Sequence, residues 1–215
     1  MARIKEMTEH YVNDFIKRSV SISNLGYCRI NINQFANIAD EIAIRSLSKI
    51  LCLVSNQEIA PRLSKIITLL DNIKNNTQID ITIHQCQVIF VQQDSDIMYI
   101  CKEVNFLPNI TNNTASCIQS NDSKNITLNK EIFTNYLHQD IMQNNEYYLH
   151  EISPNNSPHN AEITFHIRYI DQEILKEIGN PYNHLQKKIL YSLPIIYVNN
   201  NNINNYYYII DNLRK

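Results

Sequence analysis

The side chains able to do chemistry are spaced in ways that close off most reactions. Seven His residues stand at 10, 84, 138, 150, 159, 166 and 184. None has a second His one helical turn on across a Glu, so the zinc arrangement of helical metalloproteases does not form. The five Cys, at 28, 52, 86, 101 and 117, contain no C-x-x-C, and any disulfide scheme leaves one unpaired. That usage suits a reducing cytoplasm. His84 and Cys86 fall two apart in a run that reads as a strand, which predicts projection from one face. Such a pair suits a metal or a thiol–imidazole couple, and the plainer alternative is two ordinary strand residues. Asp94 and Asp96 sit in a predicted turn, where Asp bonds its own backbone, so they are not read as an acid and base pair.

Nucleotide chemistry needs glycines, because only a residue without Cβ lets several backbone N–H groups close on a phosphate. The chain has two, Gly26 and Gly179, each alone. No Walker loop, dinucleotide fingerprint or Ser-Gly-Gly-x-Asp-Ser loop can be assembled from them. The sequence therefore assigns no catalytic residue, and no cofactor-binding or metal-binding residue.

Cations give the better lead. Arg45 and Lys49 are four apart on one predicted helix, Arg62 and Lys65 three apart on the next, and Lys187 and Lys188 adjoin in a basic turn. An antiparallel helix pair would present the first four as one patch, and guanidinium groups suit bidentate phosphate contact. The competing reading is a solvated face balanced by Glu41, Glu58 and Asp71. A formal net charge of -2 means that any phosphate binding must be carried by such a local patch. Tyr147-Tyr148 and Tyr206-Tyr207-Tyr208 could stack on unpaired bases, or be half-buried strand positions.

These residues need elements to hold them. Ile4, Met7, Tyr11 and Phe15 make one face of a helix over 2–18. Asn24-Leu25-Gly26 breaks it, and a short helix is expected over 34–38. Asp40 is the expected N-cap of a helix whose apolar face runs Ala43, Ile44, Leu47, Ile50, Leu51 and Val54. A third helix opens near Pro61 and repeats the pattern with Leu63, Ile66, Ile67, Leu70 and Ile73. From Ile79 to Gln92 the period becomes two with dense β-branching, so a strand is expected, returning through a turn at 93–96 to Ile97–Cys101. Strands are also expected over 146–152 and 162–170. Asp171 should cap a helix carrying Ile174, Leu175 and Ile178, stopped at Gly179-Asn180-Pro181. A terminal hairpin, 195–198 with 206–210, closes the chain.

The fold class that follows is α+β: an amino-terminal helical subdomain (1–78), a β-hairpin (79–104), an Asn/Ser/Thr-rich linker (105–129) and a small α+β carboxy-terminal domain (130–215). Hydrophobic residues at 44% suffice for a core, and charged residues at only 19% leave Asn to supply the polarity. The abundance of Ile, Asn, Lys and Tyr follows AT-rich codons, which also accounts for the Asn-x-Ser/Thr triplets at 109 and 125. No apolar run is long enough to span a membrane, and Glu6, Glu9 and Asp14 interrupt any signal-peptide core.

Five motifs fall in a familiar order. Ile44-Arg45-Ser46-Leu47 with Ile50-Leu51 precedes Ile59-Ala60-Pro61-Arg62, then Thr82-Ile83-His84-Gln85-Cys86, then Cys101-Lys102-Glu103, and finally Ser192-Leu193-Pro194-Ile195-Ile196-Tyr197. This series resembles the carboxy-terminal portion of tRNA(Ile)-lysidine synthase. There, Leu-Arg-x-Leu-x-x-Leu-Leu, Tyr-Pro-Pro-Arg, Thr-Leu-x-Gly-Cys, a hairpin ending Arg-Glu and a Thr-Leu-Pro-Ala-Leu-Trp strand follow one another. The likeness covers most of residues 25–104 and a piece near 185–198. Gln85 stands where the family has Gly, and Lys102 where it has Arg.

The resemblance implies a partner, an isoleucine tRNA, and a ligase family that adenylates an anticodon cytidine and joins lysine to it. It also implies that the ATP-binding, PP-loop domain lies outside this chain, as for a fragment or split-gene product inactive by itself, with a separately encoded catalytic half as a candidate partner. Arg45, Lys49, Arg62, Lys65, Lys187 and Lys188 become candidate backbone contacts by the same likeness, fixing register rather than sequence. The alternative is a protein-interaction module, or a decaying remnant, that no longer binds RNA.

Overall fold

The computed structural model describes residues 2–23, 25–90, 96–107, 125–128, 147–151, 166–182, 185–200, 203–209 and 213–214. Helices and antiparallel sheets both contribute, so the class is α+β. The chain divides into two compact units, one of residues 1–106 with 213–215 and one of 107–212.

Unit 1 packs helices on one face of a six-stranded antiparallel sheet. Helix α1 (Ala2–Ser19) leads into strands β1 (Val20–Ser23) and β2 (Cys28–Asn31), and a short α2 (Ile32–Ala36) precedes the long α3 (Asp40–Ser55) and α4 (Leu63–Lys74). Strands β3 (Ile79–Ile83), β4 (Cys86–Phe90) and β5 (Ile97–Lys102) follow. With a late strand, β11 (Leu213–Arg214), the order across the sheet is β11-β1-β2-β5-β4-β3. In the register, Cys28 faces Ile100 and Val88 faces Ile100 from the other side, while Ile83 faces Cys86. Alternation then aims these residues, with Ile30, Phe90 and Met98, at the buried stripe of α3. That stripe, Ala43, Leu47, Ile50, Leu51 and Val54, is the one its periodicity predicts except for Ile44, which is only partly buried at its edge. Phe15 of α1 and Phe35 of α2 meet edge-on, ring centroids 4.7 Å apart, and close the core.

Several local expectations change. On α1 only Phe15 of the expected stripe is buried, and Val12 joins it; Ile4, Met7 and Tyr11 remain more than half exposed. On α4, Leu69 replaces Leu63 and Ile67 in the core, because α2 and α3 receive a face rotated from the one the spacing suggests. Asp40 does not cap α3: Ala39 holds the N-cap position, and Asp40 in the first turn pairs with Lys74. Pro61 lies one residue before the N-cap Arg62 of α4.

The largest correction concerns Ile79 to Gln92. Instead of one strand, His84 and Gln85 form a two-residue turn between β3 and β4, with φ of 54° and 61°. Two positive φ values in a two-residue loop match the right-handed twist of a hairpin. Asn-Gly or Asp-Gly is usual there, and the absence of such a pair hid the turn in the sequence.

In unit 2 a five-stranded antiparallel sheet has the order β6-β7-β10-β9-β8. Its strands are β6 (Asn125–Leu128), β7 (Tyr147–Glu151), β8 (His166–Tyr169), β9 (Pro194–Asn200) and β10 (Ile203–Ile209). The terminal hairpin is the β9–β10 pair, with a shorter tip than 199–205. Helix α5 (Gln172–Ile178) begins as expected, the Asp171 carboxylate accepting from the N–H of Ile174 at 2.9 Å. A short α6 (Lys187–Leu190) follows. Most of the expected linker, 108–124, lies outside the described residues, while its far end is β6.

Candidate nucleic-acid interface

Helix α3 is the floor of a groove in unit 1, with α1 on one side and the segment entering α4 on the other. The groove is about 610 Å³ and is lined by Glu9 and Val12, by Glu41, Ile44, Arg45, Ser48 and Lys49, and by Ala60, Pro61, Leu63 and Ile66. Arg45 and Lys49 are both present, but neither is free. The Arg45 Nε lies 2.6 Å from the Glu41 carboxylate one turn earlier. The Lys49 ammonium donates to Asn13 Oδ1 at 2.7 Å and lies 3.9 Å from the Glu9 carboxylate. Two carboxylates thus neutralise the two cations of this groove. Exposed pairs of this kind are weak, and a phosphate could compete for either cation.

Arg62 and Lys65 are placed differently. Both are exposed, at the N-cap and first turn of α4, and neither lines the groove. Among the described residues no ion pair holds either one. The four cations of the sequence reading are therefore two neutralised within a groove and two open beside it. In unit 2, Lys187 and Lys188 are exposed on α6, and Lys187 lines a second cleft together with Lys176. Lys176 escaped the sequence reading, because a single basic residue in the last turn of a helix is ordinary.

His84 and Cys86 do not share a strand face as expected. The turn swings His84 toward α3, where its Nε2 lies 3.9 Å from Cys52 Sγ, while Cys86 is buried with its Sγ donating to the Leu51 carbonyl at 3.5 Å. Burial raises the Cys52 thiol and lowers the His84 imidazole, so both are neutral near pH 7. A nucleophilic couple needs the opposite shifts, a stabilised thiolate beside an imidazolium. Burial likewise pushes Cys28 up to about 12 and Cys86 higher still. Among the described residues no group of three or more His, Cys, Asp or Glu could hold a metal ion.

Asp96 accepts from the Asn33 amide at 2.6 Å, tying β5 to α2, while Asp94 lies outside the described residues. Tyr147 and Tyr148 lie on β7, and Tyr206, Tyr207 and Tyr208 on β10. No helix among the described residues is long and apolar enough to cross a membrane. No family model, curated protein or solved structure matches this chain.

Proposed function

We propose that this chain is a tRNA-holding portion of the lysidine synthase type, acting together with an ATP-binding catalytic part. The observation that carries the reading is the left-handed backbone at Gln85, with φ of 61°. In the resembling pattern Thr-Leu-x-Gly-Cys the glycine falls at that position, and a positive φ is the physical reason for a glycine there. A motif matched by chance would have no reason to set its glycine on such a site. Arg62 of the Pro-Arg motif and Lys65 just after it form the open pair that supplies charge for an RNA backbone.

Anisotropy titration of an isoleucine tRNA with the purified chain tests this. Binding should weaken steeply with salt, and Arg62→Ala with Lys65→Ala should flatten the slope of log K against log salt by about 1 to 2, as expected for the loss of two phosphate contacts. Unchanged affinity and slope in the double variant would sink the RNA reading.

A second reading has its own support. The neutralised groove has an apolar lining in Val12, Ile44, Ala60, Pro61, Leu63 and Ile66, and Leu63 within it and Ile59 next to Ala60 are 61% and 80% exposed. Those properties suit a protein-interaction module, for which salt-independent capture of a defined partner, without RNA affinity, is the expected result.

A further inference from the structure

We propose that unit 2 carries a binding site for a 5′-phosphorylated nucleoside in the cleft between α5 and α6. The cleft measures about 420 Å³, within the range of small-ligand pockets, and is lined by Gln172, Leu175, Lys176, Asn180, Lys187, Leu190 and Tyr191. Lys176 comes from the last turn of α5 and Lys187 from the first turn of α6, so two separate elements bring lysine side chains to line one concavity. Among the described residues no carboxylate lines it and neither lysine is held in an ion pair. Like charges sharing a cleft without a counter-charge repel, and a bound dianion such as a phosphomonoester relieves that repulsion.

The remaining lining suits the rest of a nucleotide. The half-buried Leu175 and Tyr191 offer an apolar surface and a ring for a flat base, with the buried Leu190 behind them. Asn180 is oriented by its own backbone neighbour: its Oδ1 accepts from the Tyr182 N–H at 2.9 Å, which leaves the amide nitrogen to donate to a ligand acceptor. Gln172 adds a second amide. Charge, apolar face and donors converge on a phosphate joined to an aromatic heterocycle.

This site goes beyond the RNA-holding reading, and Lys176, which that reading does not use, is the residue to change. Calorimetric titration of the full chain with the four ribonucleoside 5′-monophosphates, the matching nucleosides and inorganic phosphate provides the test. A monophosphate should bind at least tenfold more tightly than its nucleoside or phosphate alone. Lys176→Ala should lose about tenfold while Lys176→Arg retains binding, consistent with one charge-assisted contact, and both should keep the native circular dichroism spectrum. Equal binding of nucleoside and monophosphate, no binding at all, or an unaffected Lys176→Ala overturns the site.

A short oligoribonucleotide with and without a 5′-phosphate separates the two sources. Tighter binding of the phosphorylated form than of any monophosphate assigns the cleft to an RNA end, and preference for the monophosphate assigns it to a free nucleotide. The Arg62→Ala, Lys65→Ala variant should bind monophosphates normally, so failure of the tRNA reading leaves this result readable.

Discussion

At the scale of residues, the turn at His84 and Gln85 is the most informative position. A side chain in the left-handed region costs about 1 to 2 kcal/mol against Cβ crowding. Glycine removes that cost but loses more chain entropy on folding. Gln85→Gly should therefore stabilise the protein by roughly 0.5 to 1 kcal/mol, read as a rise in the urea midpoint with an unchanged m-value. A destabilised variant would mean that the Gln85 side chain contributes more than its backbone costs. Residue identity did not announce this turn, since neither His84 nor Gln85 is a usual turn residue, but the alternation does shift phase there, from Ile79, Ile81 and Ile83 to Cys86, Val88 and Phe90. What the sequence did contain was the resemblance, whose glycine sits at position 85.

At the scale of elements, periodicity located the helices better than their edges or buried faces. Asp171 is the clearest success: its carboxylate caps α5 through the Ile174 N–H and also meets Arg168 at 2.5 Å. Burial tends to raise its pKa, but those two partners outweigh burial and hold the carboxyl below its usual range. Asp171→Ala should destabilise unit 2 by about 1 kcal/mol, with Asp171→Asn keeping most of the cap, as hydrogen exchange along α5 would reveal. Helix α4 shows the opposite case. Leu63, Ile66, Ile67, Leu70 and Ile73 form a regular stripe, yet Leu63 and Ile67 face water and Leu69 is buried. An amphipathic pattern defines a broad arc, and the neighbouring helix decides which edge of that arc is covered. The exposed remainder of α1 and α4 is what keeps the protein-interaction reading in play.

At the scale of the whole molecule, titration limits the pH range of the fold. His84 is lowered by burial, so it binds its proton more readily when unfolded. Stability from this group is present above the unfolded value near 6.5 and falls as pH drops through that range. Cys28 and Cys86 are raised by burial, so the unfolded chain loses their protons first, and stability falls as pH rises above about 9. Urea midpoints measured from pH 5 to 10 should form a dome, and His84→Asn should flatten its acid side. An acid limb unaffected by that substitution would assign the effect to other groups.

The sequence by itself determined what depends on neighbours along the chain: the α+β class, the amphipathic helices, the Asp171 cap, the terminal hairpin and the want of a glycine-rich phosphate loop. These are readable because helix period, strand alternation and capping act over a few residues. Tertiary structure decided what depends on partners far apart in the chain. It set Cys52 beside His84, gave Arg45 and Lys49 to nearby carboxylates while leaving Arg62 and Lys65 open, and joined Lys176 to Lys187 across one cleft. It also brought β11 to pair with β1, residues 213–214 against 22–23. Such placements follow from which faces bury one another, and no local pattern specifies that choice.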